Sequence, residues 1–79
     1  MRDYDIALDF MDMTQDQRVW TRFADVRPGL DIRVGQHVTV GDDDADTGVA
    51  RIVAIEGTLI QVEVVPGGLE ENRYLLVTP

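Results

Sequence analysis

Residues 48–66 read GVARIVAIEGTLIQVEVVP, two runs rich in valine and isoleucine on either side of Glu56-Gly57-Thr58. β-Branched side chains lose rotamer freedom in a helix and pack well on a pleated surface. The runs are therefore expected to be strands, and the glycine between them the tight turn of a β-hairpin. A two-residue turn at Glu56-Gly57 pairs Val53 with Ile60; one at Gly57-Thr58 pairs Val53 with Val62. In either register Val49, Val53, Ile55, Ile60, Val62 and Val64 share the face expected to be core, with Gln61 and Glu63 on the other. Ala50, Ile52 and Ala54 make the second face of the first strand partly apolar as well, which predicts a strand that is central or covered on its back.

Working outward toward the N-terminus, Val38 and Val40 alternate within Gln36 to Val40, a third expected strand that Gly41 and an acidic loop terminate. Arg27-Pro28-Gly29 must interrupt whatever precedes it, since proline disfavours helix in the residue before it. One short helical turn is expected near Ala24 to Val26. Arg18-Val19-Trp20-Thr21-Arg22-Phe23 suits a strand. A rival helix could start at Thr14, where Thr14 and Gln17 have capping-box spacing and Val19, Trp20 and Phe23 could share a helical face. The strand is preferred. From Asp3 to Met11 polar and apolar residues alternate, with Tyr4, Ile6, Leu8 and Phe10 on one face, which predicts a first strand in hairpin with the second. Beyond Pro66-Gly67-Gly68, Asn72 to Thr78 is expected to be a closing strand.

The run Val34-Gly35-Gln36-His37-Val38-Thr39-Val40, the acidic loop, then Val49-Ala50-Arg51-Ile52-Val53 and a tight hairpin resembles an SH3-like small barrel across roughly residues 30 to 77. The resemblance is one of architecture. It implies an all-β fold, a small antiparallel five- to six-stranded barrel whose closure removes exposed strand edges, and it implies no activity.

Seventy-nine residues leave room for one domain, residues 1–79, and the 44% apolar content suffices for one core. With no cysteine there is no disulfide to assist a small core, which leaves dimerisation as a source of extra burial. No apolar run approaches the length of a membrane span, and the alternation of aspartate with apolar residues at the N-terminus is unlike a signal-peptide core, so a cytoplasmic protein is expected. Fifteen acidic residues against seven basic ones give a formal charge of −8, which repels phosphate backbones and anionic membrane surfaces. Nucleic acid and membrane are poor partners on that ground.

Three features invite a site. Asp42, Asp44 and Asp46, in the run Asp42-Asp43-Asp44-Ala45-Asp46-Thr47-Gly48, could offer carboxylates to a divalent cation. An EF-hand loop, however, needs glycine sixth and glutamate twelfth, and counted from Asp42 those places hold Thr47 and Val53. A solvated acidic loop is the expectation, and no metal or other cofactor. His37 is the only histidine, and the chain contains neither serine nor cysteine, so a zinc site or a nucleophilic triad lacks its usual residues. Arg18, Trp20 and Arg22, on the strand reading, project from one face as an aromatic platform edged by guanidinium groups, able to stack a ring or an acidic segment. Against this stands a buried Trp20 with its arginines paired to aspartates. The function expected is a small acidic non-enzymatic protein-interaction module whose partner carries a basic patch. The alternative is a nucleic-acid-associated barrel using the Arg/Trp face, which requires the arginines to gather away from the aspartates.

Overall fold

Among the described residues five strands form: β1 (Ile6–Ala7), β2 (Arg18–Arg22), β3 (His37–Gly41), β4 (Gly48–Glu56) and β5 (Leu59–Val64). The computed structural model describes residues 4–42 and 47–76. The strands make one sheet in the order β1-β3-β4-β5-β2, curled into a half-barrel. β4 is its central strand, as the two apolar faces of that stretch predicted. The β4–β5 hairpin turns on Gly57-Thr58, because Glu56 pairs with Leu59. Gly57 has φ +60, a conformation in which a side chain is rarely tolerated.

Regular alternation from that turn would pair Val53 with Val62. Instead Ile52 pairs with Val62 and Ala54 with Gln61, so Val53 is the extra residue of a β-bulge. The bulge lets Ile52 and Ile55, three residues apart, both face the interior. The expected core face of β4 is corrected accordingly. Ile55 lies on it, but Val49 and Val53 belong to the opposite face, and Ala50 and Ile52 take their places, both fully buried. With Ile6, Leu8, Val19, Val38, Val40, Ile60 and Val62 they form the core, edged by Phe10, Val26, Leu30, Ile32, Ile55 and Val64.

The N-terminal segment departs from the expected hairpin, and with it the sheet is mixed rather than purely antiparallel. β1 is two residues long and runs parallel to β3, pairing Ile6 with Val40 and Ala7 with Gly41, while β2 pairs with β5 from Arg18–Glu63 to Arg22–Leu59. Asp5 accounts for the choice of partner. Its N–H donates to the carbonyl and hydroxyl oxygens of Thr39 (3.0 and 2.8 Å), and its carboxylate accepts the Thr39 N–H (3.1 Å). The same carboxylate meets the Arg27 guanidinium at 3.1 Å, and the Asp5 carbonyl accepts the Arg27 N–H at 2.7 Å. Beside it Ile6 forms an isolated antiparallel bridge with Val26, just after the helical turn at Phe23–Asp25, and the buried Thr21 hydroxyl donates to the Ala7 carbonyl at 3.2 Å. These contacts draw the ends of β1 and β2 toward one another and curl the sheet. Gly41 admits the Tyr4 ring, which a Cβ would meet at 2.8 Å.

The expected closing strand is helical over residues 72–76, and its last two residues lie outside the described ones. α1 spans Leu69–Asn72 and a 3₁₀ turn follows at Arg73–Leu76. Glu71 reaches back to the Gly68 N–H (3.4 Å), and the buried Asn72 amide donates to the carbonyls of Pro66 (2.8 Å) and Gly68 (3.2 Å). These bonds satisfy backbone groups locally, so the segment does not need a strand partner. It lies against β3 and β4, on whose outer face Val49 is fully buried.

Two stability measurements check this architecture. By urea denaturation Ile52→Ala is expected to cost about 3 kcal/mol and Val53→Ala about 1, the reverse of what unbroken alternation implies. Asp5→Ala is expected to cost about 2 kcal/mol, because it leaves the Thr39 amide without its carboxylate acceptor, whereas Arg27→Gln removes only a part-exposed ion pair and costs about 0.5.

Candidate interaction surface on β2 and β5

Strand alternation along β2 turns Val19 and Thr21 inward and leaves Arg18, Trp20 and Arg22 on the outer face. The helical alternative for this segment is thereby excluded. Pairing continues past both strand ends, since the Val64 N–H donates to Gln17 (2.8 Å) and the Phe23 N–H to Thr58 (3.2 Å). The start of β2 is held by a three-residue loop. The Thr14 N–H donates to the Arg18 carbonyl (3.0 Å), the Arg18 N–H donates to the Thr14 hydroxyl (3.2 Å), and Gln17 closes the loop at φ +63.

Cross-strand register then sets the neighbours. Arg18 faces Glu63, Trp20 faces Gln61 and Arg22 faces Leu59, while on the next strand Arg51 faces Glu63 and Ala54 faces Gln61. Glu63 is shared. One carboxylate oxygen lies 3.4 Å from the Arg18 Nε and the other 3.9 Å from the Arg51 guanidinium. Each contact is part exposed and contributes little stability, but together they fix the three side chains as a row across β2, β5 and β4. Arg18 also lies 4.0 Å from Asp16. Arg22 makes no ion pair or side-chain hydrogen bond among the described residues.

Trp20 is 46% exposed, and its indole N–H has no hydrogen-bond partner among the described residues. The buried-tryptophan reading is therefore set aside. Leu59, diagonal to it across the ladder on the same face, is 42% exposed. The bulge adds Val53 and Ala54, both half-buried, to the same outer face. The surface is thus an apolar strip with a guanidinium group at each end. Beyond Glu63 it grades into an open crevice of about 340 Å³ lined by Gln15, Asp16, Gln17, Glu63, Val64, Val65 and Pro66.

Of the other sequence candidates, His37 is half-buried on β3 opposite Arg51 and so extends the Arg18–Glu63–Arg51 row on the same outer face, two strands beyond β5. Of the acidic loop, Asp44 and Asp46 lie outside the described residues, and among those described no cluster of three histidine, cysteine or acidic side chains could hold a metal. No helix among the described residues is long and apolar enough to cross a membrane. Sequence reading missed Arg51, Glu63 and Leu59. Without the bulge, Arg51 would face Val64 and Ile52 would face Glu63, so the charged row was invisible. Comparisons with protein-family models, curated proteins and solved structures find no match for this chain.

Asp16 supplies a pH-dependent test of the loop that positions Arg18. The Thr14 hydroxyl, donating to its carboxylate at 2.6 Å, is the largest of the effects that lower its pKa from 3.8, followed by its own backbone N–H; Arg18 adds a smaller push. A depressed folded-state pKa means the carboxylate's support for the loop is complete above 3.8 and is lost as pH falls through the lowered value. Thr14→Val should raise the Asp16 pKa toward 3.8 and flatten the pH dependence of the loop, since the largest folded-state support of the charged carboxylate is gone. Carboxyl-carbon NMR of Asp16 with the Gln17 amide signal reads both.

Proposed function

We propose that this protein is a non-enzymatic protein-interaction module that binds its partner on the outer face of β2 and β5. The observation that carries the reading is Trp20, the single tryptophan, standing nearly half exposed between two arginines and beside an exposed leucine. Burying an indole is among the larger gains open to a small core, and a chain of this size leaves it on a rigid strand. Tryptophan and arginine dominate binding energy at protein interfaces when covered by a partner. The curled sheet is compatible with a small barrel of the SH3-like kind, a scaffold that presents such faces without prescribing chemistry. The chain's charge of −8 favours a partner whose wider surface carries a basic patch.

The nucleic-acid alternative draws support from the gathering of Arg18, Arg22 and Arg51 on one face. Two of the three already share Glu63, and Glu56 stands across Leu59 from Arg22, which alone of the three makes no ion pair among the described residues. Affinity for a phosphate backbone grows with the number of phosphates neutralised, and one free guanidinium on a strongly acidic chain supplies little. A protein partner needs only one or two such contacts around an apolar centre.

Immobilised domain incubated with lysate of the source cells tests the reading. Proteins retained by the wild type should be lost with Trp20→Ala and kept with Val34→Ala, a change at another exposed apolar residue. Retention that is indifferent to Trp20 would move the interaction to another surface. Both variants should keep wild-type denaturation midpoints, since neither residue belongs to the core cluster.

A further inference from the structure

We infer that the segment seated on this surface is extended and acidic, with an apolar side chain on Trp20 and a carboxylate on Arg22; the inference rests on the interaction reading above. The face is far less acidic than the chain as a whole, and one of its arginines is unengaged. Three guanidinium groups, Arg18, Arg22 and Arg51, share the outer face with two carboxylates, Glu63 between Arg18 and Arg51 and Glu56 across Leu59 from Arg22, in a protein with a net charge of −8. Arg22 is exposed, lies at the far end of the strip from Glu63 and has no carboxylate partner among the described residues. A carboxylate brought there meets a planar donor it can engage through two hydrogen bonds.

Spacing adds the second constraint. Arg18 and Arg22 are four residues apart on one strand, about 13 Å at the usual rise, with Trp20 midway on the same face. An extended peptide has the same period. Carboxylates at its first and fifth positions reach the two arginines while the third side chain covers the indole. Arg18 is already engaged by Glu63 and Asp16, so the carboxylate on Arg22 carries most of the discrimination.

The probe is the end-capped heptapeptide Thr-Asp-Thr-Leu-Thr-Asp-Thr, titrated into isotope-labelled protein while the Trp20 indole N–H signal is followed. Its counterpart with lysine for aspartate and a deoxythymidine decamer serve as competitors. The acidic peptide should shift the indole signal, Arg22→Gln should weaken it roughly threefold to tenfold, and added salt should weaken it further. Glu63→Gln, which releases two guanidinium groups without touching the core, should tighten it. A stronger shift from the lysine peptide would overturn the acidic assignment, and one from the decamer would overturn it in favour of nucleic acid. If no probe moves the indole signal while Trp20→Ala still abolishes retention of lysate proteins, the acidic chemistry falls and the interaction surface stands. If retention is also indifferent to Trp20, both fall.

Discussion

One extra residue in β4 organises both faces of this sheet. By inserting Val53 opposite a single position of β5, the chain brings Ile52 into the core with Val62 and, one strand position earlier, sets Arg51 against Glu63. The same shift that completes the interior therefore assembles the charged row outside it. Without the bulge Ile52 would stand beside Arg18 and Glu63 on the surface, and Val53 would have to fill the interior position of a longer side chain. Burial drives the choice, since a fully buried isoleucine contributes about 2 to 3 kcal/mol relative to an exposed one.

The second constraint is at the other edge. A two-residue strand has almost no ladder of its own, and β1 is held by the polar contacts of Asp5 with Thr39 and Arg27. They convert a polar residue of an alternating segment into the clasp that joins β1, β3 and the segment after Arg22. Because the contacts between β1 and β2 run through the inward-facing Thr21 and through residues past the end of β2, they leave the outer face of β2 and β5 uncovered. The C-terminal helical segment covers the opposite end, over β3 and β4. What remains open is the strip around Trp20.

That strip has a chemical character distinct from the chain as a whole. Aspartates such as Asp9, Asp16, Asp25 and Asp31 lie outside the five strands, whereas Arg18, Arg22 and Arg51 occupy outward strand positions beside exposed apolar residues. Net charge governs encounter at distance, and the local row governs what can dock. A −8 protein can thus present a face suited to an acidic segment, with the indole supplying the apolar contact that makes the ion pair worth desolvating.

Local chemistry in the sequence determined the β class, a hairpin about Gly57, the strand carrying Val38 and Val40, the helical turn before Arg27, and the common face of Arg18, Trp20 and Arg22. Each depends on alternation or on a turn residue, signals that act over a few neighbours. Tertiary structure alone decided the bulge, the parallel pairing of β1 with β3, the helical ending in place of a strand, and the Arg18–Glu63–Arg51 row. The physical reason is common to all four. Each is settled by which side chains a distant segment can bury or hydrogen-bond, and a period-two pattern carries no information about the partner strand or about a residue that drops out of register.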